Sequence, residues 1–394
     1  MPKRMWLLII GMFVNVTGNS FLWPLNTIYI HDHLGKSLSI AGLVLMANAA
    51  AGVVGNFLGG FLFDRIGGYK SIISGIILSL VVLVCLVFWH DWPQYVFFLT
   101  VLGFSGGIVF PSMYAMVGTL WPKGGRKAFN AIYLAQNVGV AIGPALAGLV
   151  ASININYIFS ANLFFYMLFF FIALFGYRKF EIAADIHTSV IKEQKKIINK
   201  APFYALLIVT AGYLITWLVY SQWISTISTH ILSLGLSLKQ YSFLWTLNGL
   251  LIVLGQPLIL PIIKRLENKI KSQMLIGIII FSFSFIVVAN AASFEMFIVA
   301  MVILTFGEMF VWPAIPTLAN QLAPKGREGF YQGIVNSTAT IGRMIGPFAG
   351  GVLADLYGMQ IMIFILTGLM SIAIITTLLY DRPLKKVGYE PESH

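Results

Sequence analysis

Two ionisable side chains stand where ionisable side chains are expensive. Glu308 lies near the middle of an apolar stretch from about residue 296 to 320, and Arg343 lies at a similar depth in another from about 329 to 353. Holding a charge that deep in hydrocarbon costs ~2.5–3.5 kcal/mol on insertion scales, so such groups usually face a cavity and act on a proton, an ion or a substrate. The chemistry expected of Glu308 is proton uptake and release, its carboxylate alternating between a proton, Arg343 and a cationic or polar substrate. A permanent Glu308–Arg343 pair holding two helices together is the structural alternative.

Neutral polar and aromatic residues recur around them at steps of three, four and seven, which places them on single helix faces. Asn15, Asn19 and Trp23 fall in one stretch, Asn48 and Asn56 in the next, and Tyr133 with Gln136 in a third. In the second half of the chain Trp217, Tyr220 and Ser221, then Trp245 and Asn248, then Glu308 and Trp312, then Asn336, Thr340 and Arg343 repeat the trend. Unpaired polar groups are costly in lipid, so these faces should point into protein or water. A central substrate cavity is expected from Asn15, Asn19, Trp23, Tyr114, Gln136, Trp217, Tyr220, Asn248, Trp312 and Asn336. Aromatic rings there suit flat, lipophilic or cationic ligands through stacking and cation–π contact. Hydrogen bonding between helices is the plainer role for any one Asn, and an interfacial belt for any one aromatic.

The elements that must position these groups follow from composition. The 394 residues are 58% hydrophobic and only 10% charged, with a mean hydropathy of +0.87, against about 25% charged in soluble proteins. Apolar runs of about 20 residues, each able to cross ~30 Å of hydrocarbon as a helix, occur twelve times. The predicted spans are roughly 5–30, 38–62, 71–89, 94–120, 128–150 and 157–177, then 203–229, 239–262, 272–292, 296–320, 329–353 and 360–380. The third, sixth, ninth and twelfth are almost wholly aliphatic or Phe and are expected to face lipid or to support the others. With both termini on one side, 22 of the 25 Lys and Arg fall in that side's loops and tails, which the positive-inside rule makes cytoplasmic. Only Lys36 and Lys239 fall opposite, and Arg343 is within a span. The net charge of +11 is therefore a topology signal and not a nucleic-acid footprint. Lys3-Arg4 before an apolar run reads as an uncleaved first helix, the run being too long for a signal peptide. Cys85, the one cysteine, excludes an intrachain disulfide and any cysteine metal cluster.

A duplication organises the spans. Phe110-Pro111, Pro122-Lys123-Gly124 and Gly139-x-x-x-Gly143-Pro144-x-x-Ala147-Gly148 return about 202 residues later as Trp312-Pro313, Pro324-Lys325-Gly326 and Gly342-x-x-x-Gly346-Pro347-x-x-Gly350-Gly351. Repetition at half the chain length predicts two homologous six-helix bundles, 1–177 and 203–380, joined by a basic linker over 178–202 and followed by a tail over 381–394. The linker reads either as an amphipathic helix on the inner leaflet or as a solvated connection. The glycines clear one strip of a helix and the prolines remove a backbone donor, which implies close packing and a bend, with a role where the two halves meet.

Between the second and third spans stands Gly59-Gly60-Phe61-Leu62-Phe63-Asp64-Arg65-Ile66-Gly67-Gly68-Tyr69-Lys70. Gly60 permits close helix approach, Gly67 supplies a turn, and Asp64 at a membrane boundary can cap the N-terminus of a neighbouring helix. Gly-x-x-x-Asp-Arg-x-Gly with a following basic residue resembles the cytoplasmic signature of the major facilitator superfamily, and the glycine-proline motif of the fifth span resembles that of its drug:proton antiporters. The resemblance covers essentially the whole chain. It implies the major facilitator fold, alternating access around a central site, a gating role for Gly60, Asp64, Arg65, Gly67 and Lys70, and antiport through Gly139, Gly143, Pro144, Gly148, Gly342, Gly346, Pro347 and Gly351. The sequence departs from that pattern with Gly68 and Tyr69 where basic residues are preferred. It departs again with Leu99 near the place of an arginine many such antiporters carry, so proton coupling falls to Glu308 and Arg343.

His31, Asp32 and His33 diverge on a helix and read as a solvated cap, not a metal site. No His-Glu-x-x-His, Gly-x-Ser-x-Gly or phosphate-binding Gly-x-x-x-x-Gly-Lys-Ser/Thr occurs, which argues against an enzyme and against direct ATP drive. The expected protein is an all-α, twelve-span secondary transporter of the cell membrane. It would be a monomer without cofactor that exports amphipathic or cationic drug-like molecules in exchange for protons. An importer of a small polar metabolite and a lipid or lysolipid translocator are the alternatives on the same fold.

Overall fold

The computed structural model describes every residue except Pro24, 179–199, 267–268 and 389–394. Most of the expected linker and the end of the tail therefore lie outside the described residues. The first half contains α1 (Lys3–Asn19), α2 (Asn26–Ile28) with a π-helical turn (Tyr29–His33), α3 (Leu38–Ile66), α4 (Gly68–Phe88), α5 (Gln94–Leu120), α6 (Gly125–Ile153) and α7 (Tyr157–Ile172). The second contains α8 (Ala201–Tyr220), α9 (Thr226–Ser233), α10 (Leu238–Leu254), α11 (Gln256–Arg265), α12 (Ile270–Ala289), α13 (Phe294–Val311), α14 (Ala314–Leu322), α15 (Glu328–Tyr357), α16 (Met359–Leu379) and α17 (Arg382–Lys386).

Among the described residues nine helices are long and apolar enough to cross a membrane, or ten when α10 and α11, bent by 53° at Gly255, count as one span. The two remaining predicted spans coincide with α1, whose 17 residues stop short, and with the 30-residue α15, which carries Glu328, Arg343 and Asp355. Helix breaks recur where the chain carries Pro or Gly: Pro313 separates α13 from α14, and Gly255 with Pro257 separates α10 from α11.

Two compact units result. One comprises Met1–Ile197 with Ala323–Ser337, the other Ile198–Leu322 with Thr338–Ser393. The first turns of α15 thus belong to the unit built mainly from the first half.

Local geometry repeats between the halves. Gly35 and Gly235 both have positive φ (63° and 80°), a conformation that glycine adopts without a Cβ clash. Two residues on, Ser37 and Ser237 cap α3 and α10 through their hydroxyls, each accepting a backbone N–H at 3.3 Å. Gly143 of α6 lies against Ser20 and the Thr17 carbonyl at the end of α1, where a Cβ would stand 2.9 Å from that oxygen. Gly346 of α15 lies in the same way against Ser221 and the Leu218 carbonyl, 2.7 Å from a Cβ.

This corrects the role read for the glycine motif. Gly139 and Gly143 seat α6 on α1, Gly342 and Gly346 seat α15 on α8, and each contact lies inside one unit. A lipid-exposed helix pair gains nothing from the hydrophobic effect, so close backbone approach supplies the attraction. Gly148 and Gly351 have nothing within 4 Å of a Cβ and lie outside the contact. Gly143→Val and Gly346→Val should each cost about 1–3 kcal/mol from overpacking, seen as a lower melting temperature in detergent, with Gly148→Ala unchanged.

Candidate substrate and proton site

In the second unit, the faces of α8, α10, α12 and α13 converge on one aromatic cluster. Tyr213, Trp217 and Tyr220 recur at steps of four and three along α8, and all three contact Trp312 at the end of α13. The Trp217 and Trp312 rings stack at 4.4 Å and 10°. Tyr213, Tyr220 and Phe281 meet Trp312 at 72°, 89° and 72°, which sets partly positive ring edges against negative faces. Trp245 of α10 closes on Tyr220 at 6.2 Å.

Glu308 sits behind this cluster and is 2% exposed. One carboxyl oxygen accepts Asn248 Nδ2 at 3.2 Å, and the same nitrogen donates to Thr305 Oγ1 at 2.9 Å. Tyr220 and Trp312 flank the same carboxyl. An acid held by a neutral donor can give up or accept a proton without breaking an ion pair.

Arg343 is placed differently from expectation. No ion pair joins it to Glu308 among the described residues; its guanidinium stands 4.6 Å over the Trp217 ring, with Nη2 3.4 Å from Thr340 Oγ1. The permanent Glu308–Arg343 pair is therefore not formed in this structure. Arg343 is exposed, whereas Arg126, expected in a loop, is 2% exposed in the first turn of α6. The sequence reading missed this because depth along a span does not reveal which way a long side chain turns.

The predicted residues of the first unit form separate contacts. Asn19 Nδ2 donates to Asn15 Oδ1 at 3.2 Å, and Tyr166 of α7 donates to Asn19 Oδ1 at 2.9 Å. Tyr114 OH donates to Gln136 Oε1 at 2.8 Å, linking α5 to α6. Trp23 lies 49% exposed beyond the end of α1, its Nε1 3.3 Å from Ser20 Oγ. Asn336 Nδ2 donates to the Gln332 carbonyl at 2.9 Å within α15. Two of the spans expected to face lipid or to support the others supply partners: Tyr166 from the sixth, and fully enclosed Phe281 from the ninth. Rings spread along a span, such as Phe281, Phe283 and Phe285, do not reveal which of them faces a neighbouring helix.

The loop motif is assembled around α15. Asp64 accepts the Gly329 and Phe330 backbone N–H groups at 2.8 Å each, capping the helix N-terminus with a charge opposite to its dipole. Gly60 and Gly329 bring the two backbones together, since a Cβ on Gly329 would lie 2.7 Å from Phe63 and 2.8 Å from Asp64 Oδ1. Gly67 (φ 88°) ends α3. Arg65 lies over the Phe61 ring at 5.7 Å, and Lys70 is exposed. Gly329-x-x-x-Gly333 was the available signal for the partner helix, a second small-residue strip. His31 turns its Nδ1 to the Lys36 carbonyl at 2.7 Å, and no cluster able to hold a metal occurs among the described residues.

Comparison with known proteins places this geometry. Residues 8–272 and 233–393 match the sequence model of the Major Facilitator Superfamily. The chain is 58% identical over 385 residues to the MFS-type transporter YttB of Bacillus subtilis strain 168, covering 98% of this chain and 97% of YttB. It is 24% identical over 380 residues to a Na+, Li+, K+/H+ antiporter of Planococcus maritimus, covering 86% and 87%. It is 20% identical over 370 residues to the multidrug resistance protein MdtH of Aeromonas hydrophila, covering 89% and 87%. Among solved structures the human organic anion transporter MFSD10 (TETRAN) superposes with a TM-score of 0.78 at 15% identity, covering 96% of this chain and all of that one.

Proposed function

Because this chain belongs to the Major Facilitator Superfamily and is a multi-pass membrane transporter, we propose that it exports amphipathic or cationic drug-like molecules across the plasma membrane in exchange for protons. The observation that carries the reading is Glu308, an enclosed acid held by Asn248 and flanked by the Tyr220 and Trp312 rings of an aromatic cluster. The acid takes the proton and the rings take the substrate. A shared wall of Tyr220 and Trp312 makes occupancy of one felt by the other. The glycine-proline motifs and the names of two distant relatives, a cation/proton antiporter and a multidrug resistance protein, support exchange over uptake.

In this reading the Asp64 cap on α15 forms in one state of the transport cycle and separates in the other. The proton gradient supplies the energy, both termini lie in the cytoplasm, and the monomer suffices.

Inside-out vesicles containing the protein, given a panel of lipophilic cations with and without an imposed pH gradient, test the proposal. Saturable accumulation that appears only with the gradient is expected for at least one compound. Accumulation in the opposite direction would make the protein an importer, and movement of labelled lysolipid alone would make it a lipid translocator.

A further inference from the structure

We propose that Arg343 is a resident cation standing in for the substrate: its guanidinium occupies the face of Trp217 on which a flat, delocalised organic cation binds, and substrate entry displaces it. The inference rests on the reading of this cluster as a substrate site and specifies what the site selects.

The geometry leaves Trp217 one face to offer. A stacked ring at 4.4 Å and a guanidinium at 4.6 Å cannot share a face, so Trp312 covers one side and Arg343 the other. The stack with Trp312 holds the Trp217 indole in a fixed plane. An indole face attracts cations through its quadrupole, most strongly when water is excluded. Guanidinium is planar, delocalised and weakly hydrated, which is why it stacks on rings where an ammonium stays hydrated. A planar aromatic cation has the same properties and a larger contact area.

Arg343 is reached from outside the cluster: it is exposed, while Tyr213, Tyr220 and Trp312 are 6%, 8% and 7% exposed. The acid of the cluster does not compete for the incoming charge, because Glu308 is enclosed and engaged by Asn248. The ring reads the substrate's charge, and the proton is held behind Trp312. The site therefore prefers planar cations to tetrahedral ones of equal charge, and Arg343 weakens binding by occupying the platform.

The test is equilibrium binding to the purified full chain in detergent at fixed pH. The probes are ethidium (planar cation), tetraphenylphosphonium (tetrahedral cation) and 1-naphthalenesulfonate (planar anion). Arg343→Gln should bind ethidium about three- to thirtyfold more tightly, the range a cation–π competitor spans, with a smaller gain for tetraphenylphosphonium. Trp217→Leu should lose ethidium binding at least about tenfold. Arg343→Lys, which keeps the charge but not the plane, should give an intermediate gain and serves if the Gln variant does not fold. Weaker or unchanged ethidium binding in either Arg343 variant would overturn the inference, as would Arg343-dependent binding of the sulfonate or no ethidium binding by any form. With no gradient present, these outcomes leave proton exchange through Glu308 to be judged by transport alone.

Discussion

The Glu308→Gln substitution should abolish gradient-driven accumulation while leaving a folded protein that still binds substrate. A pH difference of two units stores about 2.7 kcal/mol per proton, enough for about hundredfold accumulation of a monovalent cation exchanged one for one. In vesicles carrying Glu308→Gln the ratio should fall from that range to about one, because the amide cannot ionise. The amide that replaces the carboxyl keeps an oxygen to accept Asn248 Nδ2, so the contacts that seat α13 on α10 survive. Loss of accumulation with retained substrate binding is the expected pair of results. Gradient-dependent accumulation persisting in the glutamine variant would remove Glu308 from the coupling step.

The second large effect is expected at Asp64. Its carboxylate makes two charge-assisted hydrogen bonds of 2.8 Å to the first turn of α15, each contributing about 1.5–3 kcal/mol. Asn at this position retains one acceptor and turns an N–H donor toward the other backbone N–H. The docked state should lose at least one such bond, a ten- to hundredfold fall in its population, about 1.4 kcal/mol per factor of ten. Hydrogen–deuterium exchange at the Gly329 and Phe330 amides reads this directly: both should exchange at least about tenfold faster in Asp64→Asn. Gly60→Val, which leaves the carboxylate but pushes a side chain into Gly329, should speed exchange at the same amides. Unchanged exchange in both variants would show that neither contact holds the helix.

The difference between what was readable along the chain and what was not lies in the range of the forces. Crossing hydrocarbon as a helix is a local requirement that every ~20 residues must meet by themselves, so composition and apolar run length sufficed for the all-helical membrane class. Steric clearance is also local: a strip of glycines states that something approaches closely, as at Gly143 and Gly346. So is the expense of a buried carboxylate, which singled out Glu308.

None of these names a partner. The glycine strips seat α6 on α1 and α15 on α8 within single units, where the sequence suggested a seam between halves. Asp64 reached a helix start more than 260 positions later in the chain. Arg343 turned to a tryptophan face rather than to the acid, and Arg126 became the enclosed cation. Phe281, one of three Phe in its span, became a wall of the aromatic cluster. In each case the outcome depends on which side chain a second helix presents at contact distance. The crossing geometry of separate helices sets that, and periodicity within one helix does not contain it.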